Sequence, residues 1–172
     1  MSDPQSSAPH GTPRVPGRIA DGFKAAIADP DTHDGAYVRL AVAGGVRGEA
    51  YDFEYHVDAT GRATSRLRDE LHGRHHDVRV HEPDRDRFRA VAQAIDVGAL
   101  TRAETPAARI PPDSVIGRLE ISDGEQTARF TFLADDEQAQ RMKAAAPEPL
   151  RRAVDVMYES AAKAIGDDRL RP

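Results

Sequence analysis

The chain contains no cysteine, and only 5% of its 172 residues are aromatic. Without thiols there is no disulfide, no thiolate zinc or iron–sulfur ligation and no cysteine nucleophile. Small secreted domains commonly rely on disulfides, so their absence favours a reducing compartment, and a cytoplasmic location is the expectation. The first residues, MSDPQSSAPHGTPRVPG, lack the apolar core of a secretion signal. No run approaches the roughly 20 apolar residues of a membrane-spanning helix, so no membrane partner is expected. Few aromatics also mean that the core must be built mostly from Leu, Val, Ile and Ala.

What is present is charge. Asp and Glu number 29 against 24 Lys and Arg, a formal net of −5. The arginines are interleaved with acids, as in Asp84-Arg85-Asp86-Arg87. Nucleic-acid binding needs a dense basic stripe to neutralise phosphates, so no nucleic-acid partner is expected.

The length suits one domain. Residues 1–17 are rich in Pro, Ser and Gly and read as a disordered tail, because they bury too little surface to offset their ordering entropy. The domain itself is read as 18–166, and 167–172 as a C-terminal tail. A short helix is predicted over Arg18 to Ala28, then a strand from Ala36 to Ala43. Tyr51, Phe53, Tyr55 and Val57 alternate with Asp52, Glu54, His56 and Asp58, the period of a half-buried strand. A third strand from Arg62 to Leu71 turns at His72-Gly73 into a fourth, Arg74 to His81. The register this turn implies sets Arg68 opposite Asp77, Glu70 opposite His75 and Leu67 opposite Val78. Pro83 opens a helix with Phe88, Val91, Ala92 and Ile95 on one stripe. Asp123-Gly124 joins two more strands, Ser114–Ser122 and Glu125–Leu133. A last helix from about Pro149 to Ile165 carries Leu150, Val154, Met157, Tyr158, Ala161 and Ile165, with Gly166 as its terminator. The expectation is an α+β domain of order ββββ-α-ββ-α. It has an antiparallel sheet of about six strands with two amphipathic helices on one face.

No motif carries chemistry by itself. His72, His75, His76 and His81 are dense enough to suggest a metal, but ligands must converge on one point. On the predicted hairpin His75 and His76 face opposite ways. His75 and His81 stand roughly 20 Å apart along the strand. Only His75 and Glu70 are placed to meet as weak metal candidates, and exposed strand histidines are the plainer reading. The row Asp52, Glu54, His56, Asp58 suggests paired carboxylates, yet acid–base work needs a desolvated cleft, and Arg62, Arg66 and Arg68 are at hand as ion-pair partners. Ser65, Ser114, Ser122 and Ser160 lack a nucleophile elbow. Gly44-Gly45-Val46-Arg47-Gly48 has no P-loop ending and joins strand to strand. It reads either as a wide hairpin loop or as a recognition loop whose glycines admit another chain, in which case a bulky Gly45 substitution harms binding more than melting temperature. No cofactor and no catalytic residue is assigned.

Three stretches resemble the emfourin family, small proteinaceous inhibitors encoded beside thermolysin-type metalloproteases. They are Val38-Arg39-Leu40-Ala41-Val42-Ala43 running into the glycine-rich loop, Ile110-Pro111-Pro112-Asp113 leading to Ile116–Ile121 and Asp123-Gly124, and Pro149–Val154. The likeness covers roughly 36–165. It departs in about thirty extra N-terminal residues and a longer hairpin over 62–82. The resemblance implies a non-catalytic protein, monomer or dimer, that occludes a thermolysin-type metalloprotease sterically, with Gly44, Gly45, Val46, Arg47 and Gly48 as partner contacts. A generic partner-binding domain is one alternative. A small enzyme or small-molecule binder, with a pocket between sheet and helices, is the other.

Overall fold

Alternation of side chains across the strands organises the molecule. The computed structural model describes residues 16–46, 49–104 and 110–172. Its six strands are β1 (Ala36–Gly44), β2 (Tyr51–Asp58), β3 (Ala63–Asp69), β4 (Arg74–His81), β5 (Ile116–Asp123) and β6 (Thr127–Leu133). They form one open antiparallel sheet of order β4-β3-β2-β1-β5-β6. The sequence-distant β5 lies beside β1, setting Leu40 between Tyr55 and Leu119. One face is therefore a continuous apolar surface, with Val38, Leu40, Val42, Phe53, Tyr55 and Val57 fully buried. Burying each such side chain contributes about 1.5–3 kcal/mol.

That face is covered by helices α1 (Pro16–Ala28), α2 (Arg85–Ala94), α3 (Val97–Arg102) and α5 (Glu148–Ile165). The architecture is α+β, as the alternation implied, and the expected α2 and α5 share the layer with α1 and α3. Phe23 of α1 meets Phe88 of α2 edge-on at 6.0 Å, while Phe53 stacks on Tyr158 of α5 at 5.2 Å. Tyr55 reaches through the layer to Ser160 Oγ at 2.9 Å. Two short helices escaped the periodicity reading, α3 and α4 (Asp136–Arg141). Each is held by an N-cap aspartate, Asp96 accepting from Ala99 N–H and Asp135 from Gln138 N–H. Ala139 of α4, with Ala144 just beyond the helix, packs on Leu133 at the end of β6.

At the N-terminal end, residues 1–15 of the expected tail lie outside the described residues, and Pro16 and Gly17 already belong to α1. The C-terminal tail is packed. Gly166 ends α5 with φ 78°, the left-handed conformation that suits glycine, and the chain doubles back. Leu170 enters the core, its carbonyl accepting from the Tyr51 hydroxyl. Arg171 pairs with Asp155 and sits 4.7 Å over the Tyr158 ring.

The β3–β4 hairpin differs from the predicted register. Asp69 is opposite Arg74, Arg68 opposite His75 and Leu67 opposite His76. The reason is the Asp69 carboxylate. It accepts the His72 backbone N–H at 3.1 Å, the His72 ring at 2.9 Å and Arg74 Nε at 3.0 Å. These bonds fix a four-residue turn over 70–73 in place of a two-residue one. A β-bulge follows, because Ser65 pairs with Arg79 while Leu67 pairs with His76. Val78 is thereby moved away from Leu67 and turned to solvent.

Candidate functional site

The open face of the sheet carries the acidic row that the sequence suggested. Across the strands, Arg66 on β3 lies 3.1 Å from Asp52 and 3.6 Å from Glu54. Arg39 on β1 holds Glu54 through two bonds of 3.2 and 3.0 Å and reaches Glu120 at 3.6 Å. Arg129 closes the row on Glu120 at 3.1 Å. The Glu54 hydrogen bond raises the Arg39 pKa, with desolvation opposing it. His56 packs against Tyr37 at 5.0 Å, and burial lowers its pKa. Asp58 is spent on a turn, accepting from Thr60 N–H, Thr60 Oγ1 and Arg62 N–H. The row is a cross-strand lattice of compensated charges, with its carboxylates already bound to their own neighbours.

The glycine-rich loop divides. Gly44 and Gly45 have φ values of 144° and 96°, and Val46 is exposed, whereas Arg47 and Gly48 lie outside the described residues. A Cβ at Gly44 would overlap the Ser114 carbonyl oxygen, and one at Gly45 would sit 2.8 Å from the Glu49 carbonyl oxygen. Both glycines thus have a backbone reason to be there, independent of any partner.

The histidines separate by face. His75 points outward, 3.5 Å from Asp77, and the register sets it opposite Arg68, not opposite Glu70 as expected. Glu70 instead pairs with Arg68. No group of three or more His, Cys, Asp or Glu among the described residues is arranged to hold a metal ion. His76 and His81, five apart, would diverge on a regular strand, but the bulge turns both to the inner face. Their Nε2 atoms approach Ser65 Oγ at 3.2 and 2.8 Å. Ser65 is 2% exposed, and these two contacts tie β4 to β3. Burial lowers the pKa of both imidazoles. Arg79, His81 and His75 add to the effect at His76 against Asp167, and Arg87 and Arg79 add to it at His81.

A pH dependence follows. An unfolded histidine takes up a proton near pH 6.5, while folded His56, His76 and His81 resist doing so. Their contribution is whole above pH 6.5 and is lost as pH falls below it. Melting temperature should be level from pH 8 to 7 and decline from 6.5 to 5, less steeply in a His76→Gln/His81→Gln variant. A level profile down to pH 5 in the wild type would contradict this packing.

The remaining feature is the outer edge of the sheet. Both β4 and β6 are edge strands. The end of β6 is covered by α4, and its alternate residues Thr127, Arg129 and Thr131 are polar. By contrast β4 exposes Val78 and Val80 at 65% and 75%, with Leu71 exposed in the adjoining turn. Val78 also borders a shallow depression lined by Glu54, Thr64, Ser65 and Arg66. The interior layer, by comparison, is filled: Leu40, Tyr55, Phe88, Leu100 and Met157 are fully buried between sheet and helices.

Fold and surface together define an open antiparallel α+β domain in which, among the described residues, edge strand β4 exposes apolar side chains. No protein-family model matches the chain, and no curated protein sequence matches it. No described helix is long and apolar enough to cross a membrane.

Proposed function

We propose that this chain is a non-catalytic, cytoplasmic protein-binding domain whose partner docks on edge strand β4. One observation carries the reading: Val78 and Val80 stand exposed on a strand whose outer side has no neighbouring strand among the described residues. Soluble proteins normally blunt such edges with lysine, proline, short strands or a covering element, since an open edge pairs with other chains. The bulge and Arg79 are partial guards, but the two valines are what a docking strand needs on alternate positions. The specific form implied by the emfourin resemblance is steric inhibition of a thermolysin-type metalloprotease, with Val46 and the neighbouring loop as further contacts.

The test is a titration of the protein into a thermolysin-type metalloprotease while peptide hydrolysis is followed. Stoichiometric loss of hydrolysis is expected for the wild type. In a Val78→Ser/Val80→Ser variant, inhibition should weaken roughly 100-fold, since burying each valine is worth about 1.5 kcal/mol or more. Unfolding of that variant should shift by under about 1 kcal/mol, the span of strand propensity at exposed sites. Unchanged hydrolysis at excess removes the protease as the partner. Equal inhibition by wild type and variant removes β4 as the surface.

A further inference from the structure

We infer that the partner segment accepted by β4 is an extended acidic strand, one with carboxylates alternating with apolar side chains. The inference rests on the edge reading above and adds the chemistry of the occupant. A strand paired to β4 presents alternate residues to the two flanks of the edge. On the open flank it meets Val78 and Val80. On the helix flank it meets Arg79, opposite buried Ser65, and His81, on which both Arg79 and Arg87 of α2 act.

Charge on that helix flank is predominantly cationic. The Arg79 side chain is exposed and makes no ion pair or hydrogen bond among the described residues. Among the described residues the Arg87 guanidinium donates to two backbone carbonyls, Gly61 at 3.3 Å and Glu82 at 3.0 Å. The charged groups that act on His81 are Arg87 and Arg79, both cationic. Arg79, His81 and His75 act on His76 in the same sense, with Asp167 opposing them. Most nearby acids are otherwise engaged: Asp69 with Arg74, Asp84 as the cap of α2, and Asp86 with Arg89; exposed Glu82, just past the end of β4, is the exception. Asp77 is drawn to His75 on the other flank. This contrasts with the open face, where arginines and carboxylates neutralise one another.

A second copy of β4 is a poor occupant. Pairing Val78 with Val80 of a symmetry mate, which keeps both apolar flanks together, sets Arg79 directly opposite Arg79. Like charges opposed across strands are destabilising. An incoming strand with carboxylates at those positions turns the same positions into charge-assisted pairs.

The experiment uses the full chain and two labelled eight-residue peptides, one alternating Glu and Val, the other Lys and Val, followed by fluorescence anisotropy. The Glu/Val peptide should bind at least tenfold more tightly at low salt. The gap should narrow as salt rises past about 0.1 M, where the screening length is near 10 Å. Arg79→Glu should abolish or reverse the preference while leaving the melting temperature in place. Equal or tighter binding of the Lys/Val peptide to the wild type would overturn the acidic class and leave the edge reading standing. Failure of both peptides to bind at millimolar concentration would overturn the edge reading as well.

Discussion

Asp69→Ala is expected to lower folding stability by about 3 kcal/mol and to abolish binding at β4. Asp69 is 3% exposed at the end of β3, facing Arg74 across the hairpin. Burial pushes its pKa up, but the hydrogen bonds from Arg74 and His72 outweigh this and hold it below the ordinary carboxylate range. Removing the carboxylate leaves the Arg74 guanidinium largely buried with Asp167, 3.7 Å away, as its remaining ion-pair partner. Breaking a buried pair from one side costs about 3–5 kcal/mol. The lower end applies because Arg74 keeps a fifth of its side-chain surface in water. The turn over 70–73 loses its anchor in the same substitution, so β4 loses its register on β3. Urea unfolding gives the stability change, and Asp69→Asn, which retains an acceptor oxygen, should lose less. A change under about 1 kcal/mol would mean that the turn is held by its chain geometry alone. The wild-type carboxylate contributes this stability above pH 3.8 and loses it as pH falls below, a window distinct from that of the histidines.

Gly44→Val is expected to cost about 3 kcal/mol as well, and to do so without touching a partner. Its φ of 144° is strained for any residue with a side chain, and the added Cβ would strike the backbone of Ser114 at the entry to β5. Strain of this kind and overpacking each cost about 1–3 kcal/mol. In a domain of this size that is a fall of roughly 6–12 °C in melting temperature. Gly45→Val should behave alike, with φ 96° and the Glu49 carbonyl 2.8 Å from the new Cβ. The ranking then runs opposite to that of a recognition loop, with stability lost before binding. Calorimetry beside a binding assay decides it: an unchanged melting temperature with lost binding would return Gly44 and Gly45 to the interface.

Much of the fold was legible because its strongest periods are long. Tyr51 to Asp58 and Leu150 to Ile165 obey periods of two and 3.6 without interruption, and the structure follows both. Strand order was not legible, since nothing local announces that β5 returns across about eighty residues to flank β1. The short helices α3 and α4 offer too few apolar positions for a stripe, although Asp96 and Asp135 were available as cap signals. The candidate site was the least legible. Pairing unlike charges across the hairpin gave a plausible register, but Asp69 engages His72 and Arg74 and moves the turn. The bulge then reverses the facing of everything after it. His76 and His81 become inner-face neighbours in place of His75 and His81, and Val78 and Val80 become the exposed edge. A period-two argument has no means of anticipating a residue inserted out of phase.

Site-specific photo-crosslinking tests the role of β4 most directly. A benzophenone amino acid placed at Val80, and in a parallel sample at Thr131 on the opposite edge, is irradiated in native lysate. A single protein partner captured from position 80 and none from position 131 is the expected result. Capture from position 131 alone, or in equal yield from both edges, would contradict it.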